Sequence, residues 1–230
     1  MNVLVIDIGG TGVKMLATGH TKRRRFDSGE HLTPAHLLDG VREHTKDWEF
    51  DAVSVGYPGR VGPGGPLDEP GNLSAGWVGF DYEAAFGKPV RFLNDAAMQA
   101  LGAYTGGRML FLGLGTGLGS ALVADKVVVP LELGRLSFGG EPLGDRLGKK
   151  GFERDKRQWV ADVTVIGEEL RDALEADGIV FGGGNAKELD PLPEKSRRGG
   201  NEDAFAGGFK LWAESVIAHG PPPRAWRVVG

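Results

Sequence analysis

The sequence predicts an α/β protein of two lobes, each built on a strand that ends in a glycine-rich loop. The first loop, Asp7-Ile8-Gly9-Gly10-Thr11, opens straight off an apolar run at 3–6. The second, Gly113-Leu114-Gly115-Thr116-Gly117-Leu118-Gly119, follows another at 109–112. No repeat of short period is present, so the pair points to a duplicated strand–loop unit. Gly106-Gly107 marks the boundary and divides the chain into lobes of 1–105 and 106–230.

Residues 3–8 read as a buried strand, and 13–18 return as the other arm of a hairpin. Lys22-Arg23-Arg24-Arg25 is a cationic cluster at a turn or edge strand. It is either a solvated face or a contact for a phosphate polymer. Pro34 suits the first turn of a helix whose apolar stripe is Leu37, Leu38 and Val41. Residues 52–57 form the next strand, closed by Pro58-Gly59. A Gly/Pro-rich loop at 60–79 holds Asn72 and Trp77, and ordered loops of that length tend to be functional. Trp77 is a buried anchor or a stacking surface. A strand at 90–93 leads into a helix that Asp95 begins and that runs to about Tyr104.

In the second lobe, 109–114, 120–124 and 127–129 read as an antiparallel meander, and 136–151 as a loop rich in glycine and charge. Apolar residues from Trp159 to Leu174 recur at helical spacing. A short strand at 179–181 runs into Gly182-Gly183-Gly184. A last helix carries Phe205, Phe209, Trp212 and Val216 on one face until Pro221-Pro222-Pro223 stops it. The tail from there to Gly230 reads as loosely ordered.

The 230 residues include 39 glycines but no cysteine, which excludes disulfides, thiolate nucleophiles and Cys-ligated zinc. The net charge of −4 argues against general nucleic-acid binding. No apolar run reaches the roughly 20 residues of a membrane span. The first strand leaves no room for a secretory leader. These features predict a cytoplasmic protein with neither nucleic-acid nor membrane partners.

A backbone without Cβ atoms wraps an oxyanion, with successive N–H groups aimed at it. Gly9 and Gly10 in the first loop, and Gly115 and Gly117 in the second, are therefore phosphate-binding candidates. Thr11 and Thr116 add hydroxyl donors. Lys14, three residues past Thr11, is placed to reach a phosphate oxygen. Asp7, at a strand end, is a candidate to hold magnesium through water. Each loop alone also fits a plain hairpin turn, and neither ends in the Gly-Lys-Ser/Thr of a Walker A loop. Asn94-Asp95 lies between the two loops in sequence. Asp95 is a candidate general base for an attacking hydroxyl, and it also suits an N-cap. The parts are those of a phosphotransferase.

These residues, with Pro58-Gly59, Asn72 and Glu132-Leu133-Gly134, resemble the ROK family of sugar kinases, most of all its polyphosphate glucokinase branch. The likeness extends to Gly182-Gly183-Gly184 with Lys187, and to Asn201-Glu202 before a helix carrying Gly207-Gly208. It implies an actin-like (ribonuclease H-like) ATPase fold with the site in a central cleft. It also implies transfer of a phosphoryl group from ATP or polyphosphate, with Mg²⁺, to a hexose. Asn72, Asn94, Asp95 and Glu132 would then contact the sugar. Gly183 and Gly184 would lie near a nucleoside, and the protein would be a homodimer. The zinc motif of many members is absent. Arg135 stands where members have His after Glu-Leu-Gly, which leaves the hexose open and keeps a catalytically degenerate sugar sensor as the alternative. Arg135 is itself a substrate-binding candidate.

Overall fold

Six consecutive buried residues, Val3–Ile8 (β1), form the spine of the first sheet. The computed structural model describes residues 1–213 apart from 63, 72, 126 and 201, together with the backbone of 216–219 and 225–228. From β1 the chain turns back into β2 (Val13–Ala17) and then the edge strand β3 (Arg24–Phe26). The Arg24 guanidinium pairs with Asp47 and stacks 4.2 Å over Trp48, so this part of the basic cluster serves local packing. Helix α1 (Pro34–Thr45) starts where expected, with Thr33 Oγ1 accepting the His36 N–H. Strand β4 (Ala52–Tyr57), all buried, lies parallel to β1.

The 60–79 segment contains a small ribbon, β5 (Val61–Gly62) with β6 (Gly65–Pro66). It is pinned by Trp77, which is fully buried and donates its indole N–H to Ser74 O. Trp77 is thus the anchor, not an exposed stacking surface. The short helix α2 (Tyr82–Phe86) precedes β7 (Val90–Asn94), which completes the sheet order β3-β2-β1-β4-β7.

Helix α3 (Asp95–Ala103) leads away from the first sheet. Its N-cap is Asn94, whose Oδ1 accepts the Ala97 N–H at 3.1 Å, rather than Asp95. Beyond Gly106-Gly107 the meander forms as β8 (Met109–Leu114), β9 (Leu118–Ala124) and β10 (Val127–Leu131).

The 136–151 segment is not a loop. It holds the ribbon β11 (Ser137–Phe138) with β12 (Glu141–Pro142), then α4 (Leu143–Leu147) and the start of α5 (Lys149–Arg154). Its glycines are there for close approach: a Cβ on Gly144 would come within 3.2 Å of Gly134 O. Helix α6 (Lys156–Ala173) buries Trp159, Val163 and Ile166. Strand β13 (Gly178–Gly182) runs parallel to β8 and to β14 (Ser196–Arg198).

The last helix, α7 (Asp203–Lys210), is shorter than its periodicity suggests. Trp212 lies past its end, where it donates to Ser54 Oγ at 2.9 Å beneath the Arg91 guanidinium. Val216 opens a strand, β15 (Val216–His219), which pairs with β16 (Ala225–Val228). Strand β16 pairs in turn with β10, and the sheet order is β14-β13-β8-β9-β10-β16-β15. Strand pairing on a distant partner overrides local helical period here. Pro221-Pro222-Pro223 lies outside the described residues.

Helix α7 returns to the first sheet and packs on β1, β4 and α3. Glycine makes that return possible. A Cβ on Gly102 would sit 1.8 Å from Asp203 O, and one on Gly207 would sit 1.8 Å from Met98 O. A core of Val5, Leu101, Phe111, Val123 and Phe205 spans the two helices and both sheets.

Candidate active site

Three strand ends open on one cleft of about 430 Å³. Strand β1 delivers Gly9 and Gly10, β7 delivers Asn94 and Asp95, and the β8–β9 turn delivers Gly115, Thr116 and Gly117. Pro58, Gly59, Gln99, Ser120, Glu132 and Gly183 complete much of the wall. Asp7, Thr11, Lys14, Arg135 and Gly184 do not line this cleft. Asn72 and Asn201 lie outside the described residues.

Asp95 is the first residue of α3, and its Oδ1 accepts the Ala96 N–H at 2.8 Å. Burial pushes its pKa up to about 7, and the nearby charges of Asp7 and Glu132 push the same way. A carboxyl poised near neutral pH is suited to accept a proton from a hydroxyl. Asn94 holds this corner together: it caps α3 and donates through Nδ2 to Gly59 O at 3.2 Å.

Asp7 is buried, and its pKa is raised by burial against the opposing pull of Lys14. Lys14 faces it across the hairpin with Nζ 3.6 Å from Oδ2. Lys14 therefore neutralises Asp7 rather than reaching alone into the cleft. With its charge offset by Lys14, Asp7 alone offers a hard cation no more than a contact through water. Among the described residues no group of three or more His, Cys, Asp or Glu could hold a metal ion. A magnesium ion would then keep most of its water shell.

The glycine loops are stiffer than open cradles. The Gly9 N–H is taken by Gly12 O at 3.0 Å and the Gly115 N–H by Gly117 O at 3.1 Å, so neither is free for a phosphate. The α4–α5 junction supports the second loop from behind, with the Lys149 N–H donating to Gly115 O at 2.8 Å. Gly183 has φ +81°, and a Cβ there would lie 2.5 Å from Leu114 O, so only glycine fits the turn beside the loop.

Glu132 lies at the other wall, on the turn after β10. Ser120 shapes that turn: its hydroxyl donates to Leu131 O and accepts the Leu133 N–H. The Glu132 pKa is raised by burial and by Asp68, and lowered by Arg135 and Arg60. Arg60 is itself fixed by Asp68, with Nε 2.8 Å from Oδ2. Arg135 is exposed on the short turn Leu133–Arg135 and bears on Glu132 through its charge.

Arg60, Asp68, Ser120 and Gln99 were not legible as site residues in the loops and strands that carry them. Gln99 left one signal, as the only polar residue after Asp95 in α3. Lys149 and Lys150 pair with Glu153 and Asp145, and Arg198 donates to Ala186 O and Leu189 O. These cations serve the local structure.

No protein-family model matches the chain. The polyphosphate glucokinase of Mycobacterium tuberculosis is 26% identical over 208 residues, covering 80% of this chain and 78% of that one. The inorganic polyphosphate/ATP-glucomannokinase of Arthrobacter sp. strain KM superposes with a TM-score of 0.78 at 24% identity, over 90% of this chain and 96% of that one. The chain has the ROK sugar-kinase fold. A ROK family glucokinase from Streptomyces griseus, solved with glucose and AMPPNP, matches with a TM-score of 0.70 at 14% identity, over 92% and 99% of the two chains. The ROK fold is an actin-like ATPase fold, and strand ends of both sheets line the cleft that holds Asp95. Among the described residues no helix is long and apolar enough to cross a membrane.

Proposed function

We propose that this protein is a hexokinase-type sugar kinase that transfers a phosphoryl group from ATP or polyphosphate to a hexose hydroxyl, with glucose giving glucose 6-phosphate. The observation that carries this reading is Asp95, a carboxyl with a pKa of about 7 in the wall of a cleft lined by both glycine loops. The similarity to polyphosphate glucokinases supports the donor and acceptor classes.

In this reading the sugar lies between Asn94, Asp95 and Glu132, with Asn72 and Arg135 as further contacts. Asp95 accepts the proton of the attacking hydroxyl as the phosphoryl group arrives. Gly10, Thr116, Gly117 and Gly183 bound the donor's space, Thr11 and Gly184 follow Gly10 and Gly183 in the chain just outside the cleft wall, and Lys14 supplies a positive charge behind Asp7. Magnesium, held through water by Asp7, would neutralise charge on the transferring phosphoryl group. Closure of the lobes 1–105 and 106–230 would exclude water and protect the donor from hydrolysis. The protein is further proposed to be a cytoplasmic homodimer, and light scattering on the purified chain tests the dimer.

A coupled assay with magnesium tests the function by crossing ATP and polyphosphate against a panel of hexoses. Turnover with one pair fixes donor and acceptor together. Sugar binding without turnover on any pair would overturn the kinase reading in favour of a sensor, the reading that Arg135 favours.

A further inference from the structure

One polar side chain in the cleft has no role in the proposed sugar and phosphate contacts. Gln99 sits on α3 one turn beyond Asp95, so the two share a helix face. It lines the cleft with Asp95, Gly115 and Gly183. Its Oε1 reaches across to the end of β13, where a Cβ on Gly182 would come within 3.3 Å of it. Gln99 is half-buried, and its carboxamide makes no hydrogen bond with any described residue. The rest of α3 after Asp95 is alanine, glycine, methionine and leucine. The carboxamide keeps access to solvent in the open cleft, so its donor and acceptor are available to a ligand there without breaking a bond of the fold.

We propose that Gln99 binds the phosphoryl donor, its Nε2 amide donating to an anionic phosphate oxygen held between the Gly115–Gly117 loop and the Gly182–Gly184 turn. This rests on the kinase reading and assigns a residue to the donor side of the same cleft. Position sets the side. Gln99 faces β13 and its glycine turn, whereas Glu132, under the charge of Arg60 and Arg135, stands on the turn after β10. Chemistry sets the residue type. A Lys or Arg one turn from Asp95 would pair with it and lower its pKa, weakening it as a base. A neutral amide donates to phosphate and leaves Asp95 poised.

The test uses Gln99→Ala, Gln99→Met and Gln99→Glu in the full chain, with ATP and tripolyphosphate as probes. Calorimetry gives the probe Kd with magnesium, and steady-state kinetics gives KM for donor and for hexose. Loss of a hydrogen bond to a charged oxygen is expected to weaken the donor about tenfold in Gln99→Ala and Gln99→Met, with hexose KM unchanged. Gln99→Glu sets an anion against the phosphates and should weaken the donor further, with a loss that shrinks at high salt. The side chain fills space in Gln99→Met, so a folding defect in the alanine variant alone does not decide the result. Donor Kd and KM equal to wild type in all variants, or a change in hexose KM instead, would overturn the assignment. A wild type that phosphorylates no hexose but binds tripolyphosphate in a Gln99-dependent way would defeat the kinase reading and uphold Gln99.

Discussion

Lys14 stands directly opposite Asp7 in the β1–β2 register, and its Nζ lies 3.6 Å from the Asp7 carboxylate. Burial raises the Asp7 pKa and Lys14 holds it down, so the ionised form depends on the lysine. Lys14→Met should let Asp7 hold its proton to higher pH. Turnover is expected to fall more at pH 6 than at pH 8, with a higher magnesium requirement. A pH–rate profile at several magnesium concentrations checks this, and an unshifted acid limb would separate Lys14 from Asp7.

Asp95→Asn should lower kcat by about 10²-fold or more while hexose binding by calorimetry persists. The wild-type rate should rise through the Asp95 pKa of about 7, because the base must be ionised. Stability runs the opposite way. The folded pKa lies above the ordinary value of 3.8, so the folded state keeps a proton that the unfolded chain releases between those values. Stability from this group therefore falls as pH rises through that window. Asp95→Asn should melt higher than wild type at pH 8, and the two should melt alike at pH below the unfolded value.

Two glycines of the cleft should separate binding from folding. A Cβ at Gly115 meets nothing within 4 Å, so Gly115→Val should fold normally and obstruct the donor, raising its KM with little change in melting temperature. Gly183 has φ +81°, and an added Cβ would lie 2.5 Å from Leu114 O, so Gly183→Ala should cost about 1–3 kcal/mol of stability. Thermal melts alongside donor KM distinguish them.

Arg135 is exposed and acts on Glu132 by charge, so Arg135→His should leave stability unchanged and improve glucose use. Kinetics across a hexose panel at pH 8, where the imidazole is neutral, provide the check. An unchanged panel would make Arg135 a bystander.

Gly207→Ala should disrupt the contact between α3 and α7, because the new methyl would meet the Met98 carbonyl at 1.8 Å. Neither backbone can yield cheaply, and a loss of about 2 kcal/mol or more is expected in urea unfolding. Gly19→Ala, where a Cβ finds open space but φ is +82°, gives a smaller, strain-only comparison.

Strands β1, β4, β7 and β8 were legible because each is an apolar run closed by a glycine or an Asn-Asp pair. The glycine loops and the Asn94-Asp95 corner were legible through residue types in order along the chain, and Glu132 through the resemblance alone. Other features were not. The α4–α5 support behind the second loop hides in a segment whose glycines look like loop but serve close packing at Gly134, Gly144 and Gly148. Strands β15 and β16 form because β10 offers an edge far earlier in the chain, which no local period encodes.

The sequence by itself determined the strand–loop units, the residue types of the cleft and the resemblance that joins them, because these depend on short-range order along the chain. Only the tertiary structure decided that Asn94 caps the helix, that Lys14 is tied to Asp7, that Arg60 and Arg135 bear on Glu132, and that Gln99 is left without a partner among the described residues. Each of those is set by which groups folding brings within a few ångströms, and by the burial that makes their charges and hydrogen bonds matter.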